Sequence, residues 1–127
     1  MNRKKIPSFI EHNETLSSTN DRAWEILLGE GADADMGVVT ADFQEKGRGR
    51  AGRNWFAGKG GSLLMSLILA PCGVESVRLL PLAAGISVIR ALGNCAGIDA
   101  RLKWPNDIIF DGKKMGGILV ETRTSGE

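Results

Sequence analysis

The sequence predicts an α+β domain: a mixed, largely antiparallel sheet with helices packed on it. Three observations support this class. The stretch "LSSTNDRAWEILLGEG" and the apolar positions between Leu79 and Ile89 both show helical patterns. Short apolar or β-branched runs lie around these two stretches, as strands would. Between the last two runs stands Asp111-Gly112, a strong signal for a two-residue hairpin turn.

The first predicted helix has signals at both ends. Ser18 or Thr19 can accept hydrogen bonds from the first free N–H groups, and Asp21 suits the positive end of a helix. Gly29 or Gly31 is expected to end the helix. Its apolar face is predicted to contain Trp24, Leu27 and Leu28.

Three strands are expected in this half of the chain. A short strand covers residues 8–11, and a second covers residues 36–43, where β-branched side chains are frequent. The run "LLMSLIL" at residues 63–69 is apolar at successive positions, so it is predicted to be a central strand.

The other half is predicted to hold one long helix and three strands. The spacing of four apolar residues indicates a buried stripe on the helix, and Pro81 suits its start and Gly93 or Gly97 its end. The strands are expected at residues 101–104, 107–110 and 118–121. The four residues of the stripe are Leu79, Leu82, Ile86 and Ile89.

The bulk composition fits one soluble domain in a reducing cytoplasm. With 127 residues and a net charge of +1, the chain has no global field that would recruit nucleic acid or a membrane. Cys72 and Cys95 form neither a disulfide framework nor a zinc motif. The N-terminus lacks the apolar run of a signal peptide, and no segment reaches the roughly 20 apolar residues of a membrane span.

The stretch "EKGRGRAGRNWF", residues 45–56, concentrates four cations among three glycines, and we call it the glycine–arginine loop. Its "GRGRAG" matches G-x-G-x-x-G, but no helix pattern follows and no acidic residue stands about 20 positions later, so a dinucleotide fold is rejected. A Walker A loop also fails, because Lys59 is followed by glycine.

Three interpretations of this loop are open. In an extended chain Arg48 and Arg50 would point the same way and bind one anion together, with Trp55 stacking on a planar base. The loop could also be a solvated basic segment. Binding of single-stranded nucleic acid is the third interpretation, but it calls for a wider basic field than this chain has.

Two further segments are dense in polar groups. "SSTN" at residues 17–20 begins the first helix, and capping that helix requires only one of its four residues, so the others suit recognition of a neutral polar ring. "LKWPNDIIFDGKKMGGILVE" spans residues 102–121 and combines surface lysines with Gly116-Gly117, a pair typical of a strand that another group approaches closely. His12, the only histidine, has no partner pattern.

Over residues 17–121 the chain resembles the biotin protein ligase family, the biotin–[acetyl-CoA-carboxylase] ligases. Three segments carry the resemblance, in this order: "SSTN", "QEKGRGRAGRNWF" and "KWPNDIIFDGKKMGGILVE". The resemblance implies a catalytic domain similar to class II aminoacyl-tRNA synthetases. It also implies an ATP-dependent reaction in which biotin becomes biotinyl-5′-AMP and is then transferred to a lysine of an acceptor carrier domain. ATP and biotin would be the substrates, and Mg²⁺ would accompany the ATP.

The resemblance also implies roles for individual residues. Catalytic roles fall to Arg48, Arg50 and Lys114, and no residue is implied to bind a metal directly. The residues implied to contact biotin are Ser18, Thr19, Asn20, Gln44, Arg48, Gly49, Arg50, Lys114 and Gly117. The residues implied to contact ATP are Arg50, Arg53, Trp55, Lys103, Asn106 and Asp107.

The resemblance gives expectations for domains and partners. Residues 1–127 are expected to be the N-terminal part of the ligase catalytic domain, without a DNA-binding helix-turn-helix and without the small C-terminal barrel. The expected partner is the biotin carboxyl carrier protein of acetyl-CoA carboxylase or a similar acceptor; DNA and membranes are not expected partners, and a homodimer is allowed. A lipoate or octanoate ligase of the same fold and a fragment that binds without turnover are the alternatives.

Overall fold

A computed structural model describes residues 5–70 and 73–123, and the chain divides into two compact units, Met1–Cys72 and Gly73–Glu127. The predicted α+β class is confirmed. The first unit contains β1 (Ile10–Leu16), α1 (Thr19–Glu30), β2 (Val38–Gln44) and β3 (Leu64–Leu67), with short 3-10 turns at Gly31–Ala34 and Arg50–Gly52. The second contains α2 (Val74–Ala96), β4 (Arg101–Lys103), β5 (Asp107–Phe110) and β6 (Lys113–Gly117).

The sheet of the first unit has the order β1-β2-β3, with β1 parallel and β3 antiparallel to β2. Alternate residues of β2 face α1, and the fully buried Val39 lies in a core with Ile26, Ala34 and Ile68. The predicted first strand at residues 8–11 is misplaced, because β1 begins at Ile10 and continues to Leu16. Its period-2 apolar signal is weak, since the strand carries charged and polar residues on both faces.

Helix α1 begins and ends as predicted, but its buried face is different. Ser18 is the N-cap and accepts a hydrogen bond from the Asp21 N–H at 3.0 Å, while Gly31 ends the helix with a φ of 59°. Ile26 is buried and Leu27 packs against the same core, whereas Leu28 is 68% exposed, so the inclusion of Leu28 in the predicted apolar face is wrong. The helix turns its Ile26 side toward the sheet.

A pair of substitutions checks this orientation. Ile26→Val is expected to lower the free energy of unfolding by about 0.5–1.5 kcal/mol, because it deletes a methylene group from the core. Leu28→Ala removes more atoms but is expected to change it by less than about 0.5 kcal/mol, since those atoms are exposed. Urea denaturation of both variants measures the difference. A larger loss for Leu28→Ala would mean that the helix is turned the other way.

An ion-pair network joins β1 to α1. Arg22 donates from Nε and Nη2 to the Glu11 carboxylate at 2.9 and 2.7 Å, and from Nη1 to Glu25 at 2.9 Å. The hydrogen bonds from Arg22 are the main reason that the pKa of Glu11 lies below its ordinary value of 4.5. Burial of Glu11 acts in the opposite direction but is outweighed.

This network predicts a pH-dependent contribution to stability. Because the pKa of Glu11 is lower in the folded chain, the contribution is complete above about pH 4.5 and is lost as the pH falls through the folded-state value. Glu11→Gln is expected to reduce the free energy of unfolding by up to about 1 kcal/mol at neutral pH. Denaturation at several pH values should show wild type and variant converging on acidification; a constant difference would contradict the assignment.

Strand β3 was predicted to be central and is instead at one edge of the sheet within the described residues. Its burial alternates: Leu64 and Ser66 are buried, while Met65 and Leu67 are 50% and 46% exposed. Only the face with Leu64 and Ser66 packs against the core. This alternation places the polar residue Ser66 on the inner side, where it becomes important for the site.

In the second unit, α2 packs through a glycine. Gly85 is the buried residue of α2, and a Cβ added there would lie 2.7 Å from Leu102 Cδ1. The predicted stripe is wrong at Leu79 and Ile86, which are exposed, while Leu82 and Ile89 are half-buried. The close approach is centred on Gly85. Pro81, expected near the start, stands inside the helix, and Gly97 ends it as expected with a φ of 64°.

The hairpin between β5 and β6 is confirmed. Asp111 and Gly112 both have positive φ, 51° and 73°, as a type I′ turn requires. The predicted return strand at residues 118–121 is wrong, since β6 starts directly after the turn at Lys113 and ends at Gly117. The register shifts by one residue between Ile108 and Ile109, which leaves Met115 as the additional residue of a bulge.

The expectation that no segment is long enough for a membrane span needs a correction. Among the described residues, one helix, α2, is long and apolar enough to cross a membrane by length and composition. Its small residues extend the helix to 23 positions without producing an unbroken apolar run. A single helix of this kind is weak evidence for a membrane, because core helices of soluble proteins have the same composition.

Candidate functional site

A hydrogen-bonded cluster of small polar groups lies where α1 begins. Gln44, the last residue of β2, accepts on Oε1 from the Thr19 N–H at 2.7 Å and from Thr19 Oγ1 at 3.1 Å. The first N–H groups of a helix have no partner within the helix, so Gln44 fills this need from the neighbouring strand. Ser18 and Thr19 are both buried. Three residues predicted to form one binding surface are thereby brought together.

Ser66 belongs to the same cluster and was not predicted. From β3 its Oγ contacts Thr19 Oγ1 at 2.7 Å and is hydrogen-bonded to Asn20 Oδ1. Ser66 is buried, with 7% of the residue exposed. The sequence did contain a signal, since a serine at the inward position of an otherwise apolar strand needs a polar partner. Thr19 is thus held from two strands, by Gln44 of β2 and Ser66 of β3, and Asn20 is held from β3.

Arg48, in the glycine–arginine loop, is joined to this cluster. Its Nη1 lies 2.8 Å from Asp21 Oδ1 and donates to Ser18 Oγ at 3.1 Å. Ser17 Oγ donates to the other oxygen of Asp21 at 2.9 Å. Burial alone would raise the pKa of Asp21, but the hydrogen bonds from Ser17 and Arg48 and the charge of Arg48 place it below the ordinary value. The first turn of α1 therefore holds a fixed anion beside a loop cation.

The loop itself has a defined backbone. Trp55 N donates to Gly47 O at 2.9 Å, Gly49 N donates to Arg53 O at 2.7 Å, and Arg48 forms an isolated antiparallel bridge with Asn54. A single 3-10 turn, Arg50–Gly52, makes the tip. No α-helix follows within the described loop, which agrees with the rejection of a dinucleotide fold.

Glycine is required at the base of the loop. A Cβ at position 47 would lie 2.5 Å from the Trp55 carbonyl oxygen and 2.9 Å from Gln44 Nε2. The first of these neighbours is backbone, which cannot move aside without opening the loop. Gly47 thus places Gln44, a member of the polar cluster, in contact with the base of the glycine–arginine loop.

The other predicted loop residues lie toward solvent. Arg50 and Arg53 are exposed, and Trp55 is half-buried. Arg50 begins the 3-10 turn, so the chain is not extended through Arg48 and Arg50, and the expectation that both point the same way along an extended strand is wrong. Arg48 instead faces α1 while Arg50 stands at the tip.

The second unit carries the other predicted residues on its hairpin. Lys114 Nζ on β6 lies 3.0 Å from Asp107 Oδ1 on β5, and Asp107 pairs with Gly117 in the strand register. The ion pair is partly solvated, since both side chains retain exposure. Lys114 and Lys113 are adjacent in a strand and therefore emerge on opposite faces.

Asn106 and Lys103 have different surroundings. The Asn106 side chain donates from Nδ2 to the Ile118 carbonyl at 3.0 Å, and the backbone carbonyl of Asn106 accepts from Ile118 N at 3.0 Å. Asn106 therefore fastens the segment that follows β6. Lys103, at the end of β4, is exposed.

Both units combine cations with hydrogen-bonding groups. Over residues 5–70 and 73–123, no group of three or more histidine, cysteine, aspartate or glutamate side chains is arranged to hold a metal ion. The first unit offers neutral amides and hydroxyls next to Arg48. This arrangement suits a ligand with a neutral polar part and an anionic part.

Comparison with known proteins agrees with these features. Residues 13–127 match the biotin/lipoate A/B protein ligase family. The chain is 39% identical over 111 residues to the bifunctional ligase/repressor BirA of Bacillus subtilis, covering 87% of this chain and 34% of that relative. It is 38% identical over 112 residues to the biotin–[acetyl-CoA-carboxylase] ligase of Paracoccus denitrificans, covering 86% of this chain and 45% of that relative.

A solved structure is similar as well. The biotin protein ligase of Leishmania major in complex with biotinyl-5-AMP superposes with a TM-score of 0.78 at 32% identity, covering 92% of this chain and 53% of that one. The chain thus spans about a third to a half of the length of these three proteins. Since the family match covers all three motif segments and both units, the chain belongs to the biotin/lipoate A/B protein ligase family.

Proposed function

We propose that this chain carries biotin- and ATP-binding parts of a biotin protein ligase. In the proposed first step, an oxygen of the biotin carboxylate forms a bond to the α-phosphorus of ATP and pyrophosphate leaves. In the second step, the amine of an acceptor lysine attacks the acyl carbon of biotinyl-5′-AMP, and AMP leaves. The Paracoccus relative is named biotin–[acetyl-CoA-carboxylase] ligase, and the Leishmania protein was solved with biotinyl-5-AMP.

One observation carries the choice of biotin: the cluster of Thr19, Gln44 and Ser66 at the start of α1. The ureido ring of biotin presents two N–H donors and one carbonyl acceptor, and such a ring needs matched amide and hydroxyl partners. Ser18 links the cluster to Arg48, a cation suited to a carboxylate or phosphate. We therefore propose that Ser18, Thr19, Asn20 and Gln44 bind biotin.

The alternative of lipoate or octanoate is less favoured by the same cluster. The amides and hydroxyls of the cluster are hydrogen-bonded to one another within the protein, and a hydrocarbon chain offers them no further hydrogen bond, whereas a ureido ring does. A site built to hydrogen-bond its substrate rejects analogues that lack the polar group. Calorimetry with biotin and lipoate separates the two, because only biotin is expected to bind.

Nucleotide binding is proposed for the loop tip and the hairpin. Arg50 and Arg53 are exposed cations at the tip, and cations reduce the repulsion between two anionic reactants. On the hairpin side we propose contributions from Lys103, Asn106 and Asp107, with Lys114 stabilising the reacting carboxylate and phosphate. Magnesium enters with the ATP, held by phosphate oxygens and water, which suits an ion that rarely uses all-protein cages.

The acceptor and setting are proposed from the relatives' names. The Paracoccus protein is named for acetyl-CoA carboxylase, so we propose a biotin carboxyl carrier domain as the acceptor, in the cytoplasm. The Bacillus relative is a ligase and repressor, yet this chain spans 34% of it. Three expectations stay predictions: that DNA is not a partner, that a homodimer can form, and that residues 1–127 are the N-terminal part of a catalytic domain.

Biotin-dependent exchange of labelled pyrophosphate into ATP tests the proposal directly. The chain is expected to catalyse exchange with biotin and not with lipoate, and a catalytically silent chain that still binds biotin would support the binding-only alternative. If calorimetry detects no biotin binding and no exchange occurs, the proposed function is wrong. Oligonucleotide binding that falls steeply with salt would favour the nucleic-acid interpretation instead.

A further inference from the structure

We infer that Asp21 is a positioning residue for Arg48: it holds this arginine, and through it the glycine–arginine loop, against the first turn of α1. The contact itself is independent of any ligand. Its consequence for binding rests on the proposed function, in which Arg48 contacts the anionic part of biotin or its adenylate.

The geometry of the carboxylate supports this role. Arg48 Nη1 lies 2.8 Å from Asp21 Oδ1, and Ser17 Oγ donates to Oδ2 at 2.9 Å, so both oxygens of Asp21 are engaged. The Asp21 N–H donates to Ser18 Oγ, which also accepts from Arg48. Serine and aspartate from one helical turn therefore fix the position of a single guanidinium nitrogen. The carboxylate is charged at neutral pH, and the pKa of Asp21 lies below its ordinary value because the effect of burial, which would raise it, is outweighed by the hydrogen bonds from Ser17 and Arg48.

The contact between Arg48 and the start of α1 ties the centre of the loop to a distant part of the chain. Arg48 and Ser18 are 30 residues apart in the chain, so their contact joins distant segments. Lys46 N donates to Ser17 O at 2.8 Å and fixes the start of the loop. Beyond that point the loop contains the bridge between Arg48 and Asn54 and then the 3-10 turn. Asn54 in the bridge and Arg50 in the turn are both exposed. Arg48 is thus the side chain through which Asp21 can order the loop.

A simpler role for Asp21 gives different expectations. An acidic residue in the first turn stabilises a helix through its dipole by about 0.3–1 kcal/mol, with no need for Arg48. That role predicts a loss of helix stability that is the same whether or not Arg48 is present. A positioning role predicts that replacing Asp21 has no further effect on the loop once Arg48 has been removed.

The first test is hydrogen exchange of the unliganded protein. Asp21→Asn keeps the size of the side chain and removes its charge, and it is expected to speed exchange at the Gly49 and Trp55 amides, both hydrogen-bonded within the loop. Glu25→Gln is the matched control, because Glu25 is an acidic residue of the same helix that pairs with Arg22, away from the loop. In an Arg48→Ala background, Asp21→Asn is expected to add no further change.

The second test is binding of a non-hydrolysable biotinyl-5′-adenylate analogue, measured by calorimetry. Asp21→Asn is expected to weaken it about tenfold to a hundredfold, the range for a misplaced binding group, with Glu25→Gln unchanged. Tighter binding by Asp21→Asn would show that the carboxylate competes with the ligand, and would overturn the inference. Unchanged amide exchange in the loop would also overturn it. Absence of binding by the wild-type chain would overturn the proposed function, and the exchange experiment would still decide the role of Asp21.

Discussion

Gly47→Ala is expected to reduce biotin adenylation by about a hundredfold or more while leaving the core of the first unit folded. The new Cβ would lie 2.5 Å from the Trp55 carbonyl oxygen, a backbone atom, and 2.9 Å from Gln44 Nε2. Relief of this overlap requires the base of the glycine–arginine loop to open or Gln44 to leave its place. A displacement of about 1 Å in a positioning element can cost about a hundredfold in rate.

The control for this substitution lies in the same segment. Gly58→Ala adds the same atom at an exposed position with no other atom within 4 Å and without a left-handed φ. It is expected to retain near wild-type pyrophosphate exchange. Circular dichroism and urea denaturation would verify that both variants fold. Equal exchange rates for the two variants would show that the loop tolerates a side chain at its base and would contradict the packing argument.

Local signals in the sequence predicted local structure well. The N-cap at Ser18, the helix end at Gly31 and the turn at Asp111-Gly112 each depend on the conformational preferences of one or two residues. Such preferences act over a few residues and do not require knowledge of the partner. The bounds of β5, Asp107–Phe110, were also predicted, because the strand is delimited on one side by that turn.

Tertiary contacts decided what the sequence could not. Leu28 and Ile26 are both apolar, and only the position of the sheet determines which of them is buried. On α2, a stripe defined by large residues missed Gly85, where the helix comes close to Leu102 because the side chain is absent. A search for periodicity relies on large apolar side chains. It therefore cannot detect a close approach that is possible because glycine has no side chain.

The candidate site shows the same division. The motif positions were recognised from the sequence, and the structure gathers Ser18, Thr19 and Gln44. Ser66 and Asp21 were missed as site residues because their partners lie far along the chain: Ser66 is 47 residues from Thr19. Asp21 had a sufficient local explanation as a helix-dipole residue, which concealed its contact with Arg48.

Lys114→Ala is expected to raise the barrier to adenylation by about 2–4 kcal/mol, the cost of removing one group that stabilises charge in the transition state. The ammonium stands on β6 beside Asp107, at 3.0 Å, on a hairpin whose turn and register hold it in place. A positive charge is needed there in the proposed reaction because negative charge on the phosphoryl group must be stabilised as pyrophosphate leaves. Rates of biotin-dependent pyrophosphate exchange, with saturating ATP and biotin, measure this effect.

Lys113→Ala makes that experiment specific. Lys113 is the neighbouring lysine of the same strand, and its side chain emerges on the opposite face. Its replacement by alanine removes the same charge from the chain. Loss of Lys113 is expected to change the barrier by less than about 0.5 kcal/mol, as for an exposed surface residue. If Lys113→Ala and Lys114→Ala raise the barrier to adenylation equally, a general effect of net charge on anion binding would explain the loss of rate. If Lys114→Ala costs well under about 1 kcal/mol, the lysine is not among the groups that stabilise the transition state.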